Sequence, residues 1–176
     1  MENIILIITL SLPLIISGIV HMMIVRFNLF PEFALPINAK LFGQNKTWRG
    51  MIFIPITTAL GALVTQQVAG PLIFTSTRQA WGIGLLLGLA YALGELPNSY
   101  FKRKQGIAPG QLGKSNQLTQ VIIDQADSVI PVLSVYYAFI DWVDLITCLQ
   151  TFAAGVFLHL FINLSLYFVG LRKSPI

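Results

Sequence analysis

Five apolar stretches dominate this chain, at residues 4–25, 51–68, 81–96, 118–140 and 145–169. Hydrocarbon offers no water to hydrogen-bond a bare backbone, so a spanning run must satisfy its own N–H and C=O groups by coiling into a helix. Crossing about 30 Å takes roughly 20 residues as a helix, and the first, fourth and fifth stretches meet that length. The second and third are shorter, although the third can continue through Tyr100. Only 10% of the residues are charged, against about 25% in a soluble domain. With 55% hydrophobic residues and a mean hydropathy of +0.75, the expectation is an all-α polytopic membrane protein of about five transmembrane helices. Residues 1–176 are expected to form one domain, since no internal repeat, low-complexity tract or linker interrupts them.

The first stretch reads as a retained helix rather than a cleaved leader. No Lys or Arg precedes it, and signal cores run to only about 7–15 residues. Pro13, Pro55, Pro97 and Pro131 fall in or beside spans, where neighbouring helices can satisfy freed carbonyls. Gly82, Gly84, Gly88 and Gly94 give the third span a small-residue face for close helix packing. The lone Cys148 offers no disulfide or metal cluster and is expected to pack.

Charge then sets an orientation. Arg26, Lys40, Lys46 and Arg49 precede the second span; Lys102, Arg103, Lys104 and Lys114 precede the fourth; Arg172 and Lys173 follow the fifth. The other side holds Arg78 with Glu2, Asp141 and Asp144. Ten basic residues against one predict an outside N-terminus, a cytoplasmic C-terminus and two cytoplasmic basic segments. Basic residues clustered at span ends fit topology and not nucleic-acid binding.

Asp124 and Asp127 lie inside the fourth stretch. One Asp near a bilayer centre costs about 2.5–3.5 kcal/mol on insertion scales, so two on one helix face call for a function. On a continuous helix they would sit about 9–14 Å below the cytoplasmic surface. Hard carboxylate oxygens suit Mg²⁺, which takes one or two of them and fills its shell with water and phosphate oxygens. The competing reading is ion pairing with another helix, disfavoured because no other span carries a basic residue in its interior.

Cationic segments near the acids point to a phosphate partner. Lys102, Arg103 and Lys104 would serve as lipid-headgroup anchors in isolation, but beside a carboxylate pair at least one or two of them are expected to be phosphate ligands. Lys46 and Arg49, flanked by Gly43 and Gly50, can also grip phosphate, with Arg forming a bidentate fork. Ala108 to Ser115 nearly spells a Walker A loop, but Ala108 replaces its first glycine and no α/β context surrounds it. A P-loop ATPase is therefore excluded, while a glycine-rich loop around Gly110 remains usable near phosphate. Glu95 ends the third span with Asn98 and Ser99 close behind. His159 and Asn163 share a face of the fifth span, where a His commonly hydrogen-bonds between helices. No Ser–His–Asp set is evident, which leaves phosphoryl or nucleotidyl transfer by metal, cations and alignment.

Taken together, these residues resemble the CTP-dependent lipid cytidylyltransferase superfamily and its short CDP-archaeol synthase branch. The resemblance runs over about residues 36–175. It rests on Leu35-Pro-Ile-Asn38, Gly43-x-x-Lys46-Thr-Trp-Arg49-Gly50 and Gly94-Glu-Leu-Pro-Asn-Ser99-x-x-Lys102-Arg103. Gly106-x-x-Pro109-Gly110, Asp124-Gln-Ala-Asp127-Ser128, His159-x-x-x-Asn163 and Gly170-x-Arg172-x-x-Pro175 complete it. It implies a five-helix membrane enzyme that joins CMP to a lipid phosphate of archaetidic or phosphatidic type and releases pyrophosphate. Asp124 and Asp127 match the Mg²⁺-binding pair, Ser99, Lys102 and Arg103 the substrate-phosphate segment, and Lys46 and Arg49 the branch's own motif. Glu95 is also among the expected metal ligands, although it departs from the Asp that the archaeal branch usually has there. Gly110, Lys104, His159 and Asn163 complete the expected substrate-binding set. A longer segment at residues 110–119 resembles bacterial relatives. Expected partners are CTP, a lipid phosphate in the bilayer and, as an option, a second copy in a homodimer.

Two rivals remain. A CDP-alcohol phosphotransferase has two widely spaced acidic pairs with an Asp-Gly, and this chain has one pair and no Asp-Gly. A cation transporter could use the carboxylates as an ion site, but an odd number of spans without visible symmetry argues against it.

Overall fold

A computed structural model describes residues 2–113 and 117–171, so Lys114, Ser115, Arg172, Lys173 and Pro175 lie outside the described residues. The chain runs through α1 (Glu2–Arg26), α2 (Ala39–Phe42), α3 (Trp48–Ala69), α4 (Thr77–Lys104), α5 (Gln117–Ala126), α6 (Val129–Phe139) and α7 (Leu145–Phe168). Two short 3₁₀ turns, at Pro31–Phe33 and Gly70–Leu72, complete the order. Outside helices, the described residues contribute one isolated bridge, Pro36 to Thr47. Side-chain caps mark the starts: Asn38 Oδ1 accepts from the Lys40 and Leu41 amides, Ser76 from Gln79 and Asp144 from Thr147. Each satisfies an amide that the first turn leaves unpaired.

Four helical stretches, Ile5–Arg26, Trp48–Leu72, Thr77–Lys104 and Leu145–Phe168, are long and apolar enough to cross a membrane. The fourth apolar run departs from the expectation of one continuous span. It divides into α5 and α6, of 10 and 11 residues, each reaching only about 15–17 Å at 1.5 Å per residue. Pro131 supplies the physical reason. It has no N–H to offer the Asp127 carbonyl four residues back, and its ring crowds that carbonyl. The break therefore falls at Asp127 and Ser128, and a depth calculated along an unbroken helix does not apply.

The third run departs in the other direction. α4 extends past Pro97 to Lys104, so Lys102, Arg103 and Lys104 form its last turn and not a loop. It stops where Gly106 turns left-handed at φ 73°. There the Gly106 amide bonds the Arg103 carbonyl at 3.0 Å and the Ile107 amide bonds Lys102 at 2.9 Å, a glycine-terminated helix end.

α4 is the central element, packing on α3 along its length and on α6. A Cβ at Gly88 would lie 2.4 Å from Pro55 Cα, and one at Gly84 would lie 2.6 Å from Ala59 Cα. Gly94 faces the α5–α6 break, where a Cβ would meet the Asp127 carbonyl oxygen at 2.8 Å. Gly82 has nothing within 4 Å and is not part of this face. Leu10, Phe74, Leu87, Tyr136 and Cys148 lie in the core, where the Tyr136 hydroxyl donates to the Leu10 carbonyl at 2.7 Å. Leu145, Ile146, Leu149, Phe157, Phe161 and Phe168 of α7 stay exposed, an apolar surface suited to lipid and unsuited to water.

Candidate active site

α1, α3, α4, α7 and the α5–α6 break enclose a cavity of about 650 Å³. Leu10, Leu14, Leu133, Leu158, Ile162 and Leu166 are part of an apolar wall, and charged and polar side chains line the cavity beside it. Of the twelve site residues expected from sequence, eleven line it: Lys46, Arg49, Glu95, Ser99, Lys102, Arg103, Gly110, Asp124, Asp127, His159 and Asn163. Lys104 is exposed and does not line it. On α4 it points away from the face that carries Lys102, because neighbours two apart do not share a helix face.

α4 carries a polar stripe at Tyr91, Glu95, Asn98 and Lys102. Its spacings of four, three and four residues stack these side chains on one face. From that stripe Asn98 Nδ2 donates to Asp124 Oδ1 at 2.7 Å and to Asp127 Oδ2 at 2.8 Å. One amide thus holds both carboxylates side by side. Asn98 was not among the residues singled out for the site. The signal that could have found it is this stripe on an otherwise apolar helix.

Lys102 Nζ reaches Asp124 Oδ2 at 2.8 Å and Oδ1 at 3.1 Å. Ion pairing, disfavoured from sequence because no span interior holds a cation, is therefore present. The cation comes from the last turn of an α4 that runs longer than its apolar core, and its flexible stem reaches back along the helix. Across the cavity Lys46, two residues before α3, pairs with Glu95. Glu95 is among the expected metal ligands, and in this structure its carboxylate lies against a lysine. Among the described residues no group of three or more His, Cys, Asp and Glu side chains could hold a metal ion.

The Asp pair alone still suits a hard cation. Asp127 Oδ1 is buried with no hydrogen-bond partner among the described residues, and two carboxylates are as many as Mg²⁺ ordinarily takes from a protein. Arg103 and Arg49 also line the cavity, and Arg103 Nε and Nη1 and Arg49 Nε are buried donors without acceptors among the described residues. The Arg49 Nη1 group donates to Asn28 Oδ1 and the Leu29 carbonyl, both at 3.2 Å, which fixes the guanidinium at the start of α3. Unpaired guanidinium nitrogens in a cavity are fitted to an oxyanion.

His159 and Asn163 brace the far side. His159 Nδ1 lies 3.4 Å from the Gln125 carbonyl, and its Nε2 lies 3.2 Å from the Tyr91 hydroxyl. A carbonyl only accepts, so Nδ1 carries the proton and, in the neutral ring, Nε2 accepts from Tyr91. Asn163 Nδ2 donates to Gln125 Oε1 at 3.1 Å. Both residues hold the residue next to Asp124. The rim joins two distant loops, since Gly43, at φ 91°, has Pro109 Cγ only 2.9 Å from where its Cβ would stand.

The sequence model of CarS-like CDP-archaeol synthases matches residues 34–176. Among curated proteins, the CDP-archaeol synthase of Thermococcus onnurineus is 28% identical over 137 residues, 77% of this chain and 75% of its own length. That of Aeropyrum pernix is 25% identical over 142 residues, covering 80% and 74%. That of Pyrococcus furiosus is 35% identical over 72 residues, covering 40% and 41%. No solved structure gives a significant match. With its long apolar helices, the chain is an integral membrane nucleotidyltransferase, an enzyme that transfers a cytidylyl group from CTP to a lipid. Within that class, it belongs to the CDP-archaeol synthase family.

Proposed function

We propose that this cavity binds CTP and a lipid phosphate of the archaetidic or phosphatidic type side by side, and that Asp124 and Asp127 seat Mg²⁺ between them. The observation that carries the reading is Asn98 clamping both carboxylates in a cavity also lined by Lys46, Arg49, Lys102 and Arg103. Bound there, the cation would neutralise polyphosphate charge.

The chain's own residues do the rest. A lipid phosphate has a second pKa near 6 and is mostly dianionic at pH 7, so its oxygen attacks the CTP α-phosphorus without a general base. A new P–O–P bond forms as the bond to pyrophosphate breaks. Lys46, Arg49, Lys102 and Arg103 stabilise the charge that develops on the leaving group. Ser99 and Gly110 contact the substrates, His159 and Asn163 hold the α5 wall through Gln125, and the apolar wall accepts lipid chain. Lys104 remains outside and serves the membrane surface. The ten-to-one basic asymmetry supports a cytoplasmic site, with α5 and α6 crossing together as one interrupted span.

The family favours neither the transporter nor the phosphotransferase. Purified protein supplied with CTP and Mg²⁺ should release pyrophosphate with one of the two lipid phosphates and none with lipid lacking the phosphate. Asp124→Asn or Asp127→Asn should abolish release while leaving the folded protein in detergent. Near-normal turnover in both variants sinks the metal-seat assignment.

A further inference from the structure

We infer that Lys102 couples the binding of the divalent cation to that of the nucleotide, by exchanging its carboxylate partner for a phosphate. The inference rests on the proposed seat at Asp124 and Asp127.

Lys102 donates to both oxygens of Asp124, and Asn98 donates to one of them and to Asp127. Among the described residues, the oxygen of the pair without a protein donor is Asp127 Oδ1. A divalent ion coordinating Asp124 must therefore compete with an ammonium for the same oxygens, and the two cations repel each other. A cation arriving alone meets that competition in full. A nucleotide arriving with it offers Lys102 a new anion, and Arg103, with two unpartnered guanidinium nitrogens in the same turn, stands beside it to share the load.

The local structure permits the exchange. The side chains of Lys102 and Asp124 keep 14% and 25% of their surface exposed, so opening the pair does not strand a charge in a dry interior. Lys102 sits in the last turn of α4, on a four-carbon stem that can swing without moving the helix. Linkage makes the effect reciprocal: whatever the nucleotide adds to cation affinity, the cation adds to nucleotide affinity.

The test uses Mn²⁺ as the probe, with free Mn²⁺ counted by electron paramagnetic resonance on the purified full chain. The nucleotide is α,β-methylene CTP, which cannot be transferred. Without nucleotide, Lys102→Met should bind Mn²⁺ about tenfold more tightly than the unaltered chain, within the usual range of coupling strengths. The gain from adding the analogue should shrink in the same variant. Lys102→Gln, which keeps a polar side chain, repeats the measurement and guards against misfolding of the first variant. Unchanged or weaker Mn²⁺ binding in both lysine variants overturns the exchange, while loss of binding in Asp124→Asn leaves the seat standing. Mn²⁺ binding that survives Asp124→Asn and Asp127→Asn removes the seat itself and the exchange with it.

Discussion

Replacing Asn98 with Leu roughly keeps the volume of the side chain and deletes the group that, among the described residues, bonds both carboxylates. Each of its hydrogen bonds ends on a charged acceptor, worth about 1.5–3 kcal/mol apiece. Asp124 and Asp127 are only partly buried, so water recovers some of the loss and a net cost of about 2–3 kcal/mol is expected. Two carboxylates without a shared donor then repel and separate, and the cost falls on holding them in place for the cation. At limiting Mg²⁺ that energy corresponds to a fall in kcat/KM for CTP of about 30–150-fold. Saturating Mg²⁺ should restore part of the activity, because the bound ion takes over the attraction that Asn98 supplied. The assay is pyrophosphate release across an Mg²⁺ titration, with thermal unfolding in detergent to show that the variant is folded. A folded Asn98→Leu protein whose activity and Mg²⁺ requirement stay within twofold refutes the reasoning.

Two further outcomes follow from the packing around that clamp. Gly94→Ala puts a Cβ 2.8 Å from the Asp127 carbonyl oxygen, so α4 must back away from the break; overpacking of this kind costs about 1–3 kcal/mol and should lower the unfolding temperature and activity together, a prediction lost if both are unchanged. Glu95→Gln removes the partner of Lys46 and should lower kcat/KM for CTP about tenfold, as expected for a partly exposed pair worth some 1–1.5 kcal/mol. The Mg²⁺ concentration for half-maximal rate should not move in this variant if Glu95 acts through Lys46 alone, and a marked rise would place Glu95 at the metal.

The helices were legible from apolar run length because hydrocarbon leaves a spanning backbone few alternatives. Hydropathy reports where a helix is greasy and not where its hydrogen-bond ladder ends. α4 therefore outran its apolar core into Lys102-Arg103-Lys104, a turn that is helical and charged at once. The converse failure occurred at Pro131, which keeps the fourth run apolar but removes the amide that Asp127 needs. Much of the cavity lining was legible because charged residues inside apolar runs are rare. Asn98 was harder to see, since it is uncharged and its importance lies in two partners about 26 and 29 residues away. Lys102 was read as a ligand for phosphate, and its pairing with Asp124 depended on a reach that sequence spacing between helices does not supply.

The contact of Pro109 with Gly43 binds the fates of two loops about 66 residues apart in sequence. One delivers Lys46 and Arg49 to the cavity, and the other carries Gly110 and follows directly from Lys102 and Arg103. A change in length in either is felt by the other, and a side chain at position 43 meets both an unsuitable backbone angle and an occupied space. Chimeras among related chains should thus trade the two loops as a set. Swapped singly, each arrives shaped for a partner that is no longer there.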